Sequence, residues 1–487
     1  MNAYPWLFPG GIGDLYDEER GSVKDLNGPV KDLRSWARHL IQYCDGRFSS
    51  DQLFTLYVFN VIQRHDNNTD GNFFFKDDKW LGSNPPTLEE LKDQIRGGNF
   101  SYVSKLRYFS QKIKGSDGFW RNKTHELQAW IDFHVSRQHG PPTHFITLTC
   151  AENWWPDLRK IFADLERSRE KMMAIDSSDA TTSRRRKKRK KAVKNGTGLH
   201  EAEEKTESQL LDECDFHAMT RAVRRYPLYV NQYFMKRAKI FLDIFARDVM
   251  DLEYYWGRVE FASGRGQIHL HILGIAKGKA YLTDFYNAKK ESEKIQVIED
   301  YAVRVLDMTA DVDLDESHTK LDDLHVTTSS PLGRHYSECS NLHEDHIHLV
   351  QDSMLHQCND YCLGPQDKDK KTHRNCRFGF GLETTPNEGD TPGRTNSYES
   401  TIEMDHKGIE HFLLPRRHSQ RIVQHSKTLL QSWRANADIQ LLIYRSNPAI
   451  PDIGEIEAVS RYCVAYAGKR YKSTKQEIDM IQDVILR

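Results

Sequence analysis

Apolar positions recur at helical spacing through the first part of the chain, and the period changes further on. Leu33, Trp36, Ala37, Leu40 and Ile41 mark one helix, and residues 52–62, beyond the Asp45-Gly46 break, mark a second. The opening YPWLFPGGIGD is aromatic and turn-rich, which suits a segment that packs onto a domain rather than founding one. Thr87 stands where it would cap a helix beginning LEELKDQI, and further helices are expected over 101–113 and 121–137. His144 to Cys150, HFITLTC, is a β-branched and aromatic run leading into AENWWPDL, and it predicts a buried strand feeding a helix. After Pro227, the residues Val230, Phe234, Ala238, Phe241, Phe245 and Val249 share one face of a long amphipathic helix.

The period then shortens to two. Residues 253–274, EYYWGRVEFASGRGQIHLHILG, read as two strands joined by the turn Ser263-Gly264-Arg265-Gly266. Alternation puts His269 and His271 on one face of the second strand and turns Leu270 to the core. Helical patterning returns over 282–306, and the chain closes in an amphipathic helix that carries Tyr462 and Tyr466.

Composition changes this picture in three places. The 69 basic and 70 acidic residues nearly cancel, so nucleic-acid binding would have to come from local patches rather than a global field. One such patch is the unbroken basic run from Arg184 to Lys191, inside a polar stretch of about residues 172–209. It predicts a disordered insertion that acts as a nuclear import signal or a DNA tether, so the expected location is the nucleus. The eight cysteines lie in a long chain with no signal peptide in front, which favours a reduced compartment and metal binding over a disulfide framework. No apolar run approaches the roughly 20 residues that span a bilayer. The expected organisation is a mostly helical, DNA-binding unit over 1–140, a sheet-bearing core over 141–306, a polar His/Cys-rich region over 307–410 and a C-terminal part over 411–487 that completes the core.

Three constellations carry chemistry. His269 and His271, with Glu260 folded back across the turn, would hold a divalent cation and leave positions open for phosphate or water; Mg or Mn suits such a set. His346-Ile347-His348 repeats the spelling without an upstream strand, and is expected to be a decoy or part of a zinc region. Tyr462 and Tyr466, four apart on a helix, project two phenols from one face, and Lys469 continues that face where it would stabilise a phenolate or phosphate oxygen. A phenol with a pKa near 10 needs a polarised phosphate or help in losing its proton before it attacks. His356, Cys358, Cys362 and Cys376 offer an imidazole and three thiolates to a structural zinc, with Cys339, His343 and His373 as competing ligands. Arg265, Trp433 and Arg434 are candidate DNA contacts, as are Trp154 and Trp155 if exposed for base stacking.

Together these blocks resemble the replication-initiator nuclease domain of Helitron rolling-circle transposases, a branch of the His-hydrophobic-His (HUH) endonucleases. The likeness is carried by YPWLFPGGIGD, DGRFSSDQLF, FITLTCAENWWPDL, VEFASGRGQIHLHILG, HQCNDYCL with CRFGFG, SWRANADIQ and YCVAYAGKRY, in that order. It implies an α+β fold: an antiparallel, RRM-like sheet as nuclease core, flanked by helices, with the helical N-terminal unit and the zinc-stabilised polar region beside it. It further implies metal ligation by His269, His271 and Glu260, and Tyr462 and Tyr466 as paired nucleophiles. The expected activity is metal-dependent nicking and joining of single-stranded DNA at transposon ends and target through 5′-phosphotyrosine intermediates. The family joins a superfamily 1 helicase beyond the tyrosines. No G-x-x-x-x-G-K-[ST] phosphate loop occurs in this sequence, so the helicase is expected from the rest of a larger protein. Two other readings are a domesticated, non-catalytic zinc-containing DNA-binding protein and a plasmid or viral rolling-circle replication initiator.

Overall fold

Helices and antiparallel strands build the chain. The computed structural model describes residues 4, 6–8, 29–43, 45–51, 53–62, 65, 88–97, 117–176, 205–261, 267–277, 281–314, 330–356, 399–404, 410–419 and 421–444. These divide into two compact units between which the chain passes more than once: Met1–Glu126, Arg159–Tyr229 and Gly468–Arg487 form one, Leu127–Leu158 and Val230–Ala467 the other. Among the described residues no helix is long and apolar enough to cross a membrane.

In the first unit, the Pro29–Ile41 helix buries Leu33, Trp36, Ala37 and Leu40 against Phe48, Phe54 and Val58, and Leu7 and Phe8 of the opening segment complete that core. Gly46, at φ 70°, makes the break between the helices in a backbone region that side chains disfavour. Further on, the carboxylate of Glu166 is buried and satisfied from three sides: by Arg225, by Arg169 at 3.2 Å and by the Tyr226 hydroxyl at 3.1 Å. That network ties the Pro156–Asp176 helix to the Phe216–Arg225 helix. The polar insertion is shorter than its composition suggests. The first helix runs on to Asp176, and the next begins at Glu207 under a Thr206–Gln209 capping box. The basic run Arg184–Lys191 lies outside the described residues.

The second unit is organised by a four-stranded antiparallel sheet in the order β2-β3-β1-β8, with β1 His144–Thr149, β2 Leu252–Phe261, β3 Ile268–Ala276 and β8 Ala437–Leu441. Ile146, Leu148, Leu270, Ile272 and Ile439 alternate onto one face and are buried. On the other face, Phe145, Leu273 and Leu442 pack with Leu127 and Ile131 of the Asp117–Ser136 helix at one end of the strands. A Cβ on Gly274 would come within 2.7 Å of the Leu252 side chain across the β2–β3 pair, so a larger residue there would have to displace that leucine.

The helix after Pro227 departs from its expected pattern. Val230, Phe234, Ala238 and Phe241 are buried as the spacing predicts, but Leu242–Val249 is wound as a π-helix. The wider turn shifts the phase, so Ala246 and Met250 are buried while Val249, expected on the apolar face, is exposed.

The polar region folds partly on apolar burial. The Leu342–Leu349 helix and the turn that follows it bury Ile347, Leu349, Val350 and Met354. Short strand pairs accompany it: β4 Met308–Thr309 with β7 His425–Ser426, and β5 Thr401–Met404 with β6 Glu410–Leu413. His346 is buried here, its Nε2 2.8 Å from Nε2 of His425. His425 Nδ1 lies 2.8 Å from the Val423 carbonyl, which can only accept, so His425 carries its proton on Nδ1 and His346 must donate from Nε2. Burial lowers His346 to about 3 and His425 to about 4. His144, buried under Tyr301, is lowered to about 3 for the same reason.

The unfolded chain takes up protons at these imidazoles near pH 6.5, whereas the folded chain does not until about pH 4 or below, so stability is full above the first value and falls on acidification. At pH 5 each should cost about 2 kcal/mol relative to pH 7. Urea unfolding at the two pH values measures this, and a flat profile would contradict neutral burial.

Candidate functional site

The β2–β3 register pairs Glu260 with His269 and Arg258 with His271. On the other side of β3, Thr149 pairs with His269 and Thr147 with His271, and β8 adds Asp438 opposite Thr147. Directly opposed residues share a face. A polar patch of Glu260, His269, Thr149, Arg258, His271, Thr147 and Asp438 therefore continues the face whose other end is the Phe145–Leu273 core. Phe145 lies flat against the His271 ring, with centroids 5.9 Å apart and planes 7° apart, so the apolar end of the face supports the first row of the polar end.

Hydrogen bonds orient both rings. His269 Nδ1 is 2.8 Å from the Gln267 carbonyl, an acceptor, so Nδ1 carries the proton and the Nε2 lone pair is left to a ligand. Burial holds His269 below its usual range and keeps it neutral. His271 Nδ1 is 3.0 Å from Thr147 Oγ1, and its Nε2 is 3.3 Å from Glu260 Oε2. Gln267 is itself anchored, donating to the Cys150 carbonyl and, at 3.4 Å, to Glu152. Burial raises the Asp438 carboxyl above the usual range, and Gln440 donates to it at 2.8 Å.

The fold thus brings Glu260, His269 and His271 to one face. Among the described residues, no three His, Cys, Asp or Glu side chains converge as a metal-holding group, so the close approach is that of Glu260 to His271, with His269 in the adjoining row. Tyr462, Tyr466 and Lys469 lie outside the described residues, as do Cys358, Cys362, Cys376 and Arg265. Of the expected zinc set, His356 is described; its backbone N–H bonds the Arg421 carbonyl at 2.9 Å, and burial lowers its imidazole. Cys339 is engaged elsewhere, with its sulfur 3.1 Å from Arg434 and 3.2 Å from Asp345.

Trp433 and Arg434, expected on a DNA-binding surface, are placed in the interior. Trp433 donates to the Thr149 carbonyl at 2.8 Å and meets Trp155 and Phe234 edge to face. Trp155, likewise buried, donates to the Arg434 carbonyl at 2.9 Å. Arg434 forms an ion pair with Asp345 at 2.7 Å, both side chains being less than 5% exposed. Residue 433 ends the Lys427–Trp433 helix, and the left-handed backbone at Arg434, φ 55°, turns that guanidinium inward. Arg237, which carried no sequence signal, binds this corner together. Its guanidinium stands over Trp155 at 4.4 Å and Trp433 at 5.1 Å, and it donates to the Trp433 carbonyl at 2.7 Å.

Asp438, Thr147 and Arg258 were also missed as members of the site. Alternation in HFITLT and ADIQL separates their faces from the core, but which strands adjoin is not written locally.

Removing Arg434 would strand the buried Asp345 carboxylate. Arg434→Ala should therefore destabilise the protein by about 3–5 kcal/mol, read as a lower urea midpoint. A variant with unchanged stability but weaker DNA binding would instead restore Arg434 to a binding surface.

No curated protein matches the chain. Residues 36–274 match the family model described as the Helitron helicase-like domain at N-terminus, a span holding β1, β2 and β3 with Glu260, His269 and His271. Over that span the chain is similar to the Helitron-like family, which is consistent with a Helitron Rep-type domain.

Proposed function

We propose that the chain is a divalent-metal-dependent endonuclease and strand transferase for single-stranded DNA, of the rolling-circle (Helitron) kind. The match of residues 36–274 to the Helitron helicase-like domain supports the coarse assignment, a transposase-related function with DNA as partner in a helicase context. The observation that most supports the finer reading is the shared face of Glu260, His269 and His271, with Glu260 Oε2 3.3 Å from His271 Nε2. Two imidazoles and one carboxylate suit Mg or Mn with open positions. Bound there, the ion would draw charge from a scissile phosphate.

The remaining chemistry belongs to the chain. A Tyr462 or Tyr466 phenol loses its proton and its oxygen attacks phosphorus, forming a 5′-phosphotyrosine ester. The P–O3′ bond breaks, and the 3′ oxygen takes a proton to leave a free 3′-hydroxyl. Attack by a 3′-hydroxyl on that ester rejoins DNA and returns the phenol, with no ATP consumed because the ester keeps the phosphodiester bond energy. Lys469 is assigned to the phosphate or phenolate charge, and the second tyrosine permits a second strand to be held. His356, Cys358, Cys362 and Cys376 are proposed as a structural zinc site, Arg265 as a DNA contact, and Arg184–Lys191 as a nuclear import signal.

A labelled single-stranded oligonucleotide bearing a transposon-end sequence, incubated with the protein and Mn, should yield a covalent adduct on a denaturing gel. The adduct should be lost in the Tyr462→Phe/Tyr466→Phe double variant and in His269→Ala. Its survival without both tyrosines would overturn the mechanism.

A further inference from the structure

Away from the Glu260 face, two histidines meet where the Asp117–Ser136 helix ends. His134 stands in the last turn of that helix, and the chain then folds back: Gln138 takes a left-handed backbone, φ 63°, and the N–H of His139 donates to the His134 carbonyl at 3.0 Å. The turn brings the two rings together, with Nδ1 of one 2.9 Å from Nδ1 of the other. Tyr254 of β2 lies against both, 4.6 Å from the His139 ring and 4.4 Å from the His134 ring. Trp130 and Phe133 meet His134 edge to face at 4.7 and 5.3 Å. The aromatic neighbours thus hold the imidazoles in place before any ligand arrives.

Two ring nitrogens at this distance share one proton: one Nδ1 donates it and the other offers a lone pair. A cation that replaces the proton takes both lone pairs. On one ion, with bonds of about 2.0–2.1 Å, two nitrogens stand about 2.9 Å apart at a right angle and about 3.3 Å apart at tetrahedral corners. The observed 2.9 Å suits the right angle, the tetragonal geometry of Cu or Ni with nitrogen and oxygen donors. Zinc would require the rings to part by about 0.4 Å. The surroundings favour added positive charge. A helix C-terminus is the negative end of its dipole, and Glu253, exposed near the start of β2, acts on His134 through its charge while accepting the Tyr254 hydroxyl at 3.2 Å. Burial, with His139 beside it, holds His134 below its usual range, so protons compete little for it at neutral pH. Among the described residues no third His, Cys, Asp or Glu converges on the pair, so water completes the coordination, and Glu253 is the carboxylate whose charge already reaches it. His139, half-buried, gives the way in.

We propose that His134 and His139 form a site for a late first-row divalent cation of the Cu or Ni kind, bound through the two Nδ1 atoms, which pins the end of the Asp117–Ser136 helix beside β2. The site is separate from the Glu260 face, because Tyr254 and Glu260 stand six residues apart along β2, about 20 Å. It does not depend on the nuclease reading. Its ion is also of a different class, one that prefers imidazole nitrogen where Mg prefers oxygen.

The test titrates the full chain with Ni beside His139→Ala, a substitution in a half-buried turn. The histidines of the Glu260 face and the cysteine region also attract such ions, so the measurement is a difference between the two proteins. By isothermal calorimetry His139→Ala should bind one equivalent of Ni fewer, and saturating Ni should raise the urea midpoint of the starting protein more than that of the variant. Crystals of the starting protein soaked in Ni should show an anomalous-difference peak about 2.1 Å from both Nδ1 atoms, a result that needs no variant to fold. Equal Ni stoichiometry and affinity in the starting protein and folded His139→Ala, or no peak between the rings, would overturn the proposal.

Discussion

Everything at the polar end of the sheet depends on the register of β3 between its two neighbours. Side chains alternate along a strand, so sliding β3 by one residue against β2 would exchange His269 and His271 for Ile268, Leu270 and Ile272, and bring imidazoles into the apolar core. The cost of burying those rings and exposing the aliphatic residues makes the register nearly unique. The same constraint places Glu260 opposite His269 and Thr147 opposite His271. The chemistry of the face is thus specified by the packing of the opposite one.

A second dependence lies in the corner formed by Trp155, Arg237 and Trp433. Arg237 stands over both indoles, and Trp433 donates to the Thr149 carbonyl at the end of β1. Each indole N–H finds a backbone carbonyl, so large aromatic area is buried without stranding an indole donor, and the Arg237 guanidinium donates to the Trp433 carbonyl. The corner fastens the end of β1 to the turn that leads into β8, and β8 brings Asp438. Residues that would suit base stacking on a surface instead hold the strand that carries part of the site.

The two His-x-His spellings illustrate how much depends on the element that bears them. In β3 the two rings stand on one face. In the Leu342–Leu349 helix, positions two apart point in different directions, and His346 turns inward to bond His425 rather than pairing with His348. Strand context made the first pair legible: a hairpin pattern, a Gly-bearing turn and an apolar residue between the histidines. The helical setting of the second left it among core residues, where burial keeps His346 neutral.

Local pattern by itself determined elements and their faces: the helices Pro29–Ile41, 53–62 and Leu88–Arg96 (the one expected over 101–113 lies outside the described residues), the strand HFITLT, the β2–β3 pair, and the shared face of Glu260, His269 and His271, because periodicity and a short turn are properties of neighbouring residues. It also carried the likeness to the Helitron-like family, through blocks whose order survives as sequence. Tertiary structure alone decided the strand order β2-β3-β1-β8 and so the row from Arg258 to Asp438, since pairing between β1 and β8 joins residues nearly 300 positions apart. It decided, too, that Trp433 and Arg434 turn inward and that a π-turn shifts the face after Phe241. An indole or a guanidinium suits a surface or a satisfied interior equally well, and only the partners that the fold supplies distinguish the two.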